Sequence, residues 1–288
     1  MIYREFRPSP ALNGLVDRLW WLEGPAELIG AEPIPPDGRT EIIVHGADVF
    51  AERAGSGEWR VQDRVLLAGQ ATHAVAVRPR GYARLVGARL HPTGAFAFFG
   101  VPQDALTDSI TELTLIDTRL ARALRDDVAT REHGSEMIAA LDRALVKAAP
   151  PHAATSPAND AVAMAMGRRG LMKVSEMARV LDLSARQLER VFRERIGLRP
   201  KLFLRVLRFQ EVLRSLREGA PGNWADIAAR HGFYDQAHFI RDFKEFVGES
   251  PGAWTIGPES LAAVFSGIGR ADSPSDPEVH RQGPEVLP

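Results

Sequence analysis

The second half of the chain carries one local pattern twice, and this repetition narrows the fold more than any other feature. Each copy is a short segment of helical periodicity, a turn, and a longer segment whose apolar residues also recur at helical spacing. In the first copy, Val174 to Asp182 reads as a short amphipathic helix, with Ser175 as its expected N-cap and Glu176 in its first turn. Leu183 closes the turn, Ser184 caps a second helix over Ala185 to Ile196, and Gly197 ends it. At about 100° per residue, Leu188, Val191 and Phe192 share one face, and Arg186, Glu189, Arg190 and Arg193 fall on the opposite one. In the second copy, Trp224 to His231 is stopped by Gly232, Phe233 and Tyr234 form the turn, and Asp235 is placed to cap the next helix. Phe239, Phe243 and Phe246 make its core stripe; Ala237, Ile240, Arg241 and Lys244 lie on another face, with Gln236 near the N-terminal end. Between the copies, Pro200 to about Arg217 reads as one helix, with proline at a position where its missing N–H costs nothing. About 18 residues at 1.5 Å each give roughly 27 Å.

One face buried and the other lined with guanidinium groups is what a helix needs to lie in a DNA major groove. A rigid spacer of this length sets two such helices about one DNA turn apart, on the order of 34 Å. The charge distribution agrees. The chain as a whole has 36 Lys+Arg and 37 Asp+Glu. Residues 155–256 hold 17 basic and 12 acidic residues, a net of +5, between an acidic first part (17 and 20 over residues 1–154) and an acidic tail (2 and 5 over residues 257–288). A basic segment flanked by acidic ones points to a polyanionic partner.

The stretch from Ser184-Ala185-Arg186-Gln187-Leu188-Glu189-Arg190 through Ile196-Gly197-Leu198-Arg199-Pro200 resembles the first-unit signature of the AraC/XylS family. Ala228-Ala229-Arg230-His231-Gly232-Phe233-Tyr234-Asp235-Gln236-Ala237-His238-Phe239, through Gly248-Glu249-Ser250-Pro251, resembles that of the second unit. The likeness spans about 100 residues, from near Asn159 to Trp254. It implies a seven-helix DNA-binding domain and transcription control, with duplex DNA as the partner. It also implies that Arg186, Arg190 and Arg193 contact bases or phosphates, in place of their ordinary reading as a solvated face balanced by Glu189. Glu189 has two readings: it accepts from a cytosine amine, or it orients Arg186 or Arg193. Arg241 and Lys244 are read as phosphate contacts, which position without specifying. Ala237 and Ile240 meet a thymine methyl or are plain packing, and His238 is structural or a phosphate neighbour.

The first half is organised differently, so the chain is α+β. Glu41 to Gly46, Val61 to Gln70, Ala74 to Val77 and Ala83 to Leu90 are β-rich runs bounded by Pro or Gly. Short strands at this spacing predict a small barrel or sandwich. Helical patterning follows at Ala95 to Phe99, Asp117 to Asp127 and Ser135 to Lys147. Residues 149–157, rich in Pro and Ala, read as a linker, and residues 257–288 as a disordered tail. The expected organisation is a sensor or dimerisation domain over 1–148, the linker over 149–157 and a DNA-binding domain over 158–256. Pro36-Asp37-Gly38-Arg39-Thr40-Glu41 through Gly46, with Gly69-Gln70, resembles a pattern in the same family's N-terminal domains. The resemblance implies a cupin-like β-barrel with helices that binds a small-molecule effector or pairs with a second copy.

Several classes of function are set aside. There is no cysteine, so disulfides, thiolate metal sites and cysteine nucleophiles are excluded. No run of about 18 apolar residues predicts a membrane span, and the charged start MIYREFRPSP is no signal peptide, so a cytoplasmic protein is expected. No Gly-x-Ser-x-Gly elbow, P-loop or His-Glu-x-x-His occurs, so neither an enzyme nor a cofactor is expected. His45, His73 and His91, with Glu41 near, lack the spacing of a cupin metal site. Asp37, Glu41, Arg78 and Arg80 are candidate effector contacts, with ion pairs or turn residues as the plainer reading; Trp20, Trp21 and Trp59 line a pocket or, by default, the core. Two alternatives stay open: a cupin-like metal- or ligand-binding enzyme domain with a DNA-binding appendage, and an adaptor whose basic face meets RNA polymerase more than DNA.

Overall fold

A computed structural model describes residues 1–28, 31–53, 57–151, 156–218 and 223–254. The expected tail at 257–288 and residues 152–155 of the expected linker lie outside them. The first half contains ten strands, β1 Ile2–Phe6, β2 Val16–Pro25, β3 Glu32–Ile34, β4 Glu41–His45, β5 Ala51–Arg53, β6 Trp59–Val61, β7 Val65–Ala68, β8 Val75–Arg78, β9 Tyr82–Leu90 and β10 Ile110–Glu112, among the described residues. They form a six-stranded antiparallel sheet in the order β1-β2-β9-β4-β7-β10 and a four-stranded one in the order β3-β8-β5-β6. The sheets form an open sandwich and do not close into a barrel. The run read as one strand from Val61 to Gln70 divides between them, because Gln62, Asp63 and Arg64 carry the chain from β6 in one sheet to β7 in the other.

Period-two alternation gives the large sheet two different faces. Leu19, Ile42, Val44, Val86 and Ala88 face a helical layer and share a core with it. That layer comprises α1 Gly94–Phe99, α2 Thr118–Ala123 and α3 Gly134–Ala148; a π-turn at Leu124–Val128 ends the helical run expected from Asp117 to Asp127. Trp20, Leu22 and Leu85 point the other way and pack with Phe50 and Val77 of the small sheet. Trp20 is therefore core, Trp21 is half-buried against the helical side, and Trp59 lies under the Arg78 guanidinium at 4.2 Å.

The second half is α4 Pro157–Gly167, α5 Val174–Val180, α6 Ala185–Ile196, α7 Pro200–Arg217, α8 Trp224–Arg230 and α9 Gln236–Val247. Ser156 caps α4 by accepting from the Ala158 amide, so helix begins within the expected linker. Lys173, not Ser175, occupies the N-cap of α5 and makes no side-chain cap bond. The remaining cap assignments agree: Ser184 and Gln187 form a reciprocal capping box on α6, and Asp235 accepts from the His238 amide at α9.

Candidate nucleic-acid interface

Two small cores hold the two units, and α7 is a wall of both. Met177, Leu188, Phe192 and Ile196 pack against Phe203 and Leu204 of α7. Ile227, Phe233, Phe239, Phe243 and Phe246 pack against Val206, Phe209, Val212 and Leu213 of the same helix. Because both units bury their apolar faces against one continuous helix of 18 residues, they form a single body.

The turns are built alike. Leu183 N–H donates to the Ala178 carbonyl and Phe233 N–H to the Ala228 carbonyl, each at 2.9 Å. Both turns need one residue in the left-handed region. Gly232 (φ 69°) supplies it in the second unit and Asp182 (φ 52°) in the first. The second turn is one residue longer, and the extra residue, Tyr234, is 92% exposed. Sequence reading placed Tyr234 in the turn but did not count it among the interface residues, since periodicity says nothing about residues between helices.

On α6, Arg186, Glu189 and Arg190 are exposed and Arg193 is half-buried. On α9, Gln236, Ala237, Arg241 and Lys244 are exposed, whereas Ile240 is half-buried and packs on the second core. None of the five cations on these two faces has an ion-pair partner among the described residues, in contrast to Arg205, which is bound to Asp242 and Glu245. Glu189 does not hold Arg186 or Arg193. His238 is half-buried; its Nδ1 accepts from the Tyr234 amide at 3.3 Å and its ring packs edge-on to Phe233, so its role is structural. Arg208 of α7 is also structural: it donates to the Gly170 carbonyl at 3.2 Å and lies over the Phe233 ring, touching both units.

The first half touches this body at several places, among them Arg195 of α6, which lies over the Phe96 ring at 3.9 Å. Gln210 of α7 donates to the Pro36 carbonyl at 2.6 Å, beside Gly38, whose left-handed backbone (φ 76°) brings it against Phe203. Thr107 donates to the Gly197 carbonyl at 2.7 Å, at the end of α6, and a Cβ at Gly197 (φ 91°) would lie 2.9 Å from the Gln103 carbonyl oxygen.

Between the two sheets lies a cavity of about 450 Å³. Asp37, Glu41, His45 and His73 line it; His91, Arg78 and Arg80 do not, so of the four candidate effector contacts only Asp37 and Glu41 reach it. Glu41 and Arg89 pair at 2.8 Å, with Asp37 3.6 Å from the same guanidinium nitrogen. Burial pushes the Glu41 carboxyl up to about 7 against the pull of Arg89. Burial, helped by nearby Arg64, holds His45 down at about 4, so it is neutral. Among the described residues no three His, Asp or Glu side chains converge as a metal-binding group, and no helix is long and apolar enough to cross a membrane.

Residues 177–255 match a family described as a helix-turn-helix domain, and residues 4–112 match a domain of unknown function, DUF6597. No curated protein matches the sequence. Similar solved structures include ToxT from Vibrio cholerae, at 9% identity and TM-score 0.44, covering 80% of this chain and 96% of that one. A ToxT structure with a bound unsaturated fatty acid has 9% identity and TM-score 0.41, covering 93% and 95%. The AraC-like transcriptional activator CuxR has 14% identity and TM-score 0.24, covering 70% and 74%.

Proposed function

We propose that this chain, a DNA-binding transcriptional regulator of the AraC family, docks α6 and α9 in two successive major-groove segments on one face of the duplex and answers to a small-molecule effector. Residues 158–256 are the DNA-binding domain and residues 1–148 the sensor. The observation that carries the docking is the set of unpaired cations. Arg186, Arg190 and Arg193 on α6, with Arg241 and Lys244 on α9, lie on helices whose opposite faces are buried against one shared α7. Unpaired surface cations held in fixed register favour phosphate and base-edge acceptors. The α6 face carries three arginines and supplies most of the base-specific hydrogen bonding. The α9 face leans on phosphates, with Ala237 and Gln236 near its N-terminal end. Glu189, free of its neighbours, is a candidate acceptor for a cytosine amine.

The test is selection of duplexes from a random pool, followed by titration of variants. Arg190→Ala should cost about 1–3 kcal/mol and relax preference at one base pair. Arg241→Ala should weaken all duplexes alike and lower the salt slope by about 1. Equal loss on every duplex for Arg190→Ala would remove its base-reading role.

A further inference from the structure

We infer that Tyr234, the additional residue in the turn of the second unit, donates its phenolic hydroxyl to a DNA phosphate and lays its ring against the adjoining deoxyribose. It thereby fixes the register of α9 on the duplex without reading a base. This rests on the docking reading above and adds to it an uncharged anchor and the side chain that holds it in place.

The first observation is exposure without a partner. The chain has three tyrosines. Tyr3 donates to Glu5 at 2.8 Å and Tyr82 to Glu23 at 3.0 Å. The Tyr234 hydroxyl has no acceptor among the described residues, and the residue is almost fully exposed. A phenol joins an apolar ring to a polar tip, which suits a partner that is apolar in part and rich in acceptors. Deoxyribose beside phosphate is such a partner, and tyrosine is among the side chains that bond phosphate oxygens. The second observation is position. Asp235 is the N-cap of α9, so Tyr234 stands one residue outside the helix. The first residues of a recognition helix reach base edges, and here Gln236 and Ala237 are exposed at that end. A residue one place further out lies at the lip of the groove, where the sugar-phosphate strand runs. The neighbouring Asp235 carboxylate is engaged with the His238 amide at 2.7 Å.

The third observation is support from below. His238 Nδ1 accepts from the Tyr234 amide, which leaves the ring's proton on Nε2, 3.6 Å from Asp242 Oδ1. Asp242 is in turn bound by Arg205 of α7. A chain of polar contacts, Arg205 to Asp242 to His238 to Tyr234, thus runs from the spacer helix to the outermost turn. Phe233, edge-on to the His238 ring, anchors the preceding residue. A contact residue whose backbone is already held loses less freedom on binding and keeps more of its contact energy. The first unit has no counterpart, since its Leu183 leads straight to the Ser184 N-cap. That unit presents three arginines on α6, whereas α9 presents only Arg241 and Lys244. The uncharged anchor therefore falls on the unit with fewer cations.

A neutral hydroxyl displaces no counterion, so its contribution separates from that of the cations. In the full chain, Tyr234→Phe should weaken binding about threefold to tenfold on the selected duplex and on its base variants alike. The slope of log affinity against log salt should stay unchanged, whereas Arg241→Ala, the charged reference, lowers it by about 1. A scan of single methylphosphonates along the duplex should find one position that weakens the unaltered protein and leaves Tyr234→Phe unaffected. His238→Ala should weaken the unaltered protein and change Tyr234→Phe by less than about twofold. A purely structural histidine would cost the same factor in both backgrounds. Unchanged affinity for Tyr234→Phe, with Arg190→Ala and Arg241→Ala weakened, overturns this inference and leaves the docking reading standing. A loss confined to one base variant, or a changed salt slope, overturns the phosphate assignment. Equal factors for His238→Ala in the two backgrounds overturn the support. No loss from Tyr234→Phe, Arg190→Ala or Arg241→Ala overturns the docking reading as well.

Discussion

Arg205 of α7 grips Asp242 of α9 with two hydrogen bonds, Nε to Oδ2 at 3.1 Å and Nη2 to Oδ1 at 2.8 Å. Asp242 is 4% exposed, and its carboxylate has this bidentate partner with the His238 ring beside it, Nε2 to Oδ1 at 3.6 Å. Arg205→Ala should destabilise the second unit by about 2–3 kcal/mol, less than for a fully buried pair because Arg205 retains contact with water. Replacing both residues, as Arg205→Met with Asp242→Leu, should recover much of that loss, because no carboxylate is left buried alone. Denaturant titration checks both. A double variant no better than the single one would show that packing, not the unpaired charge, sets the cost.

The capping box on α6 gives a second expectation. Ser184 accepts from the Gln187 amide while the Gln187 side chain accepts from the Ser184 amide. Ser184→Ala should cost about 1 kcal/mol of unfolding free energy and fray the end of α6 that carries Arg186. Unfolding curves superposing on those of the unaltered protein would contradict it.

A third concerns pH. His45 titrates near 4 in the folded state and near its ordinary 6.5 when unfolded. Between these values the unfolded chain binds the extra proton, so His45 makes stability fall as pH falls, by up to about 1.4 kcal/mol per pH unit. Glu41, raised to about 7, acts in the opposite sense between about 4.5 and 7, because there the folded state holds the extra proton. The two effects oppose each other in the unaltered protein, so its own pH profile is a poor probe. The difference between the unaltered protein and His45→Gln isolates the histidine. That difference should climb in the unaltered protein's favour from about pH 4 to 6.5. A flat difference would mean that His45 is not buried neutral.

The helical half was readable because each device in it is local. Gly197, Pro200, Ser184 and Asp235 fix helix ends from within a few residues, and the faces of α6 and α9 follow from 3.6-residue periodicity. Ser175 misled because Lys173 takes the N-cap without any side-chain bond, leaving no signal to read. The sheets were less legible. β2, with Trp20 facing one layer and Trp21 the other, is apolar on both faces and lacks clean alternation. β3, β5 and β10 are three residues each, too short for a period to show. The pairing of Glu41 with Arg89, 48 residues apart, and the contact of Gln210 with Pro36, 174 apart, depend on the sheet register and the domain packing, which no local pattern encodes.

In the proposed complex, two groove-reading helices dock as one rigid body on a shared spacer helix. Inserting about five base pairs between the two half-elements of a selected duplex rotates one by roughly half a helical turn. Because α7 is a wall of both cores, the body cannot follow that rotation, and affinity should collapse toward that of a duplex with one half-element. Inserting a full turn should not restore it within one monomer, since a helix of about 27 Å cannot reach the displaced element. Affinity preserved across the half-turn insertion would contradict the account, for it would mean that α6 and α9 engage DNA independently.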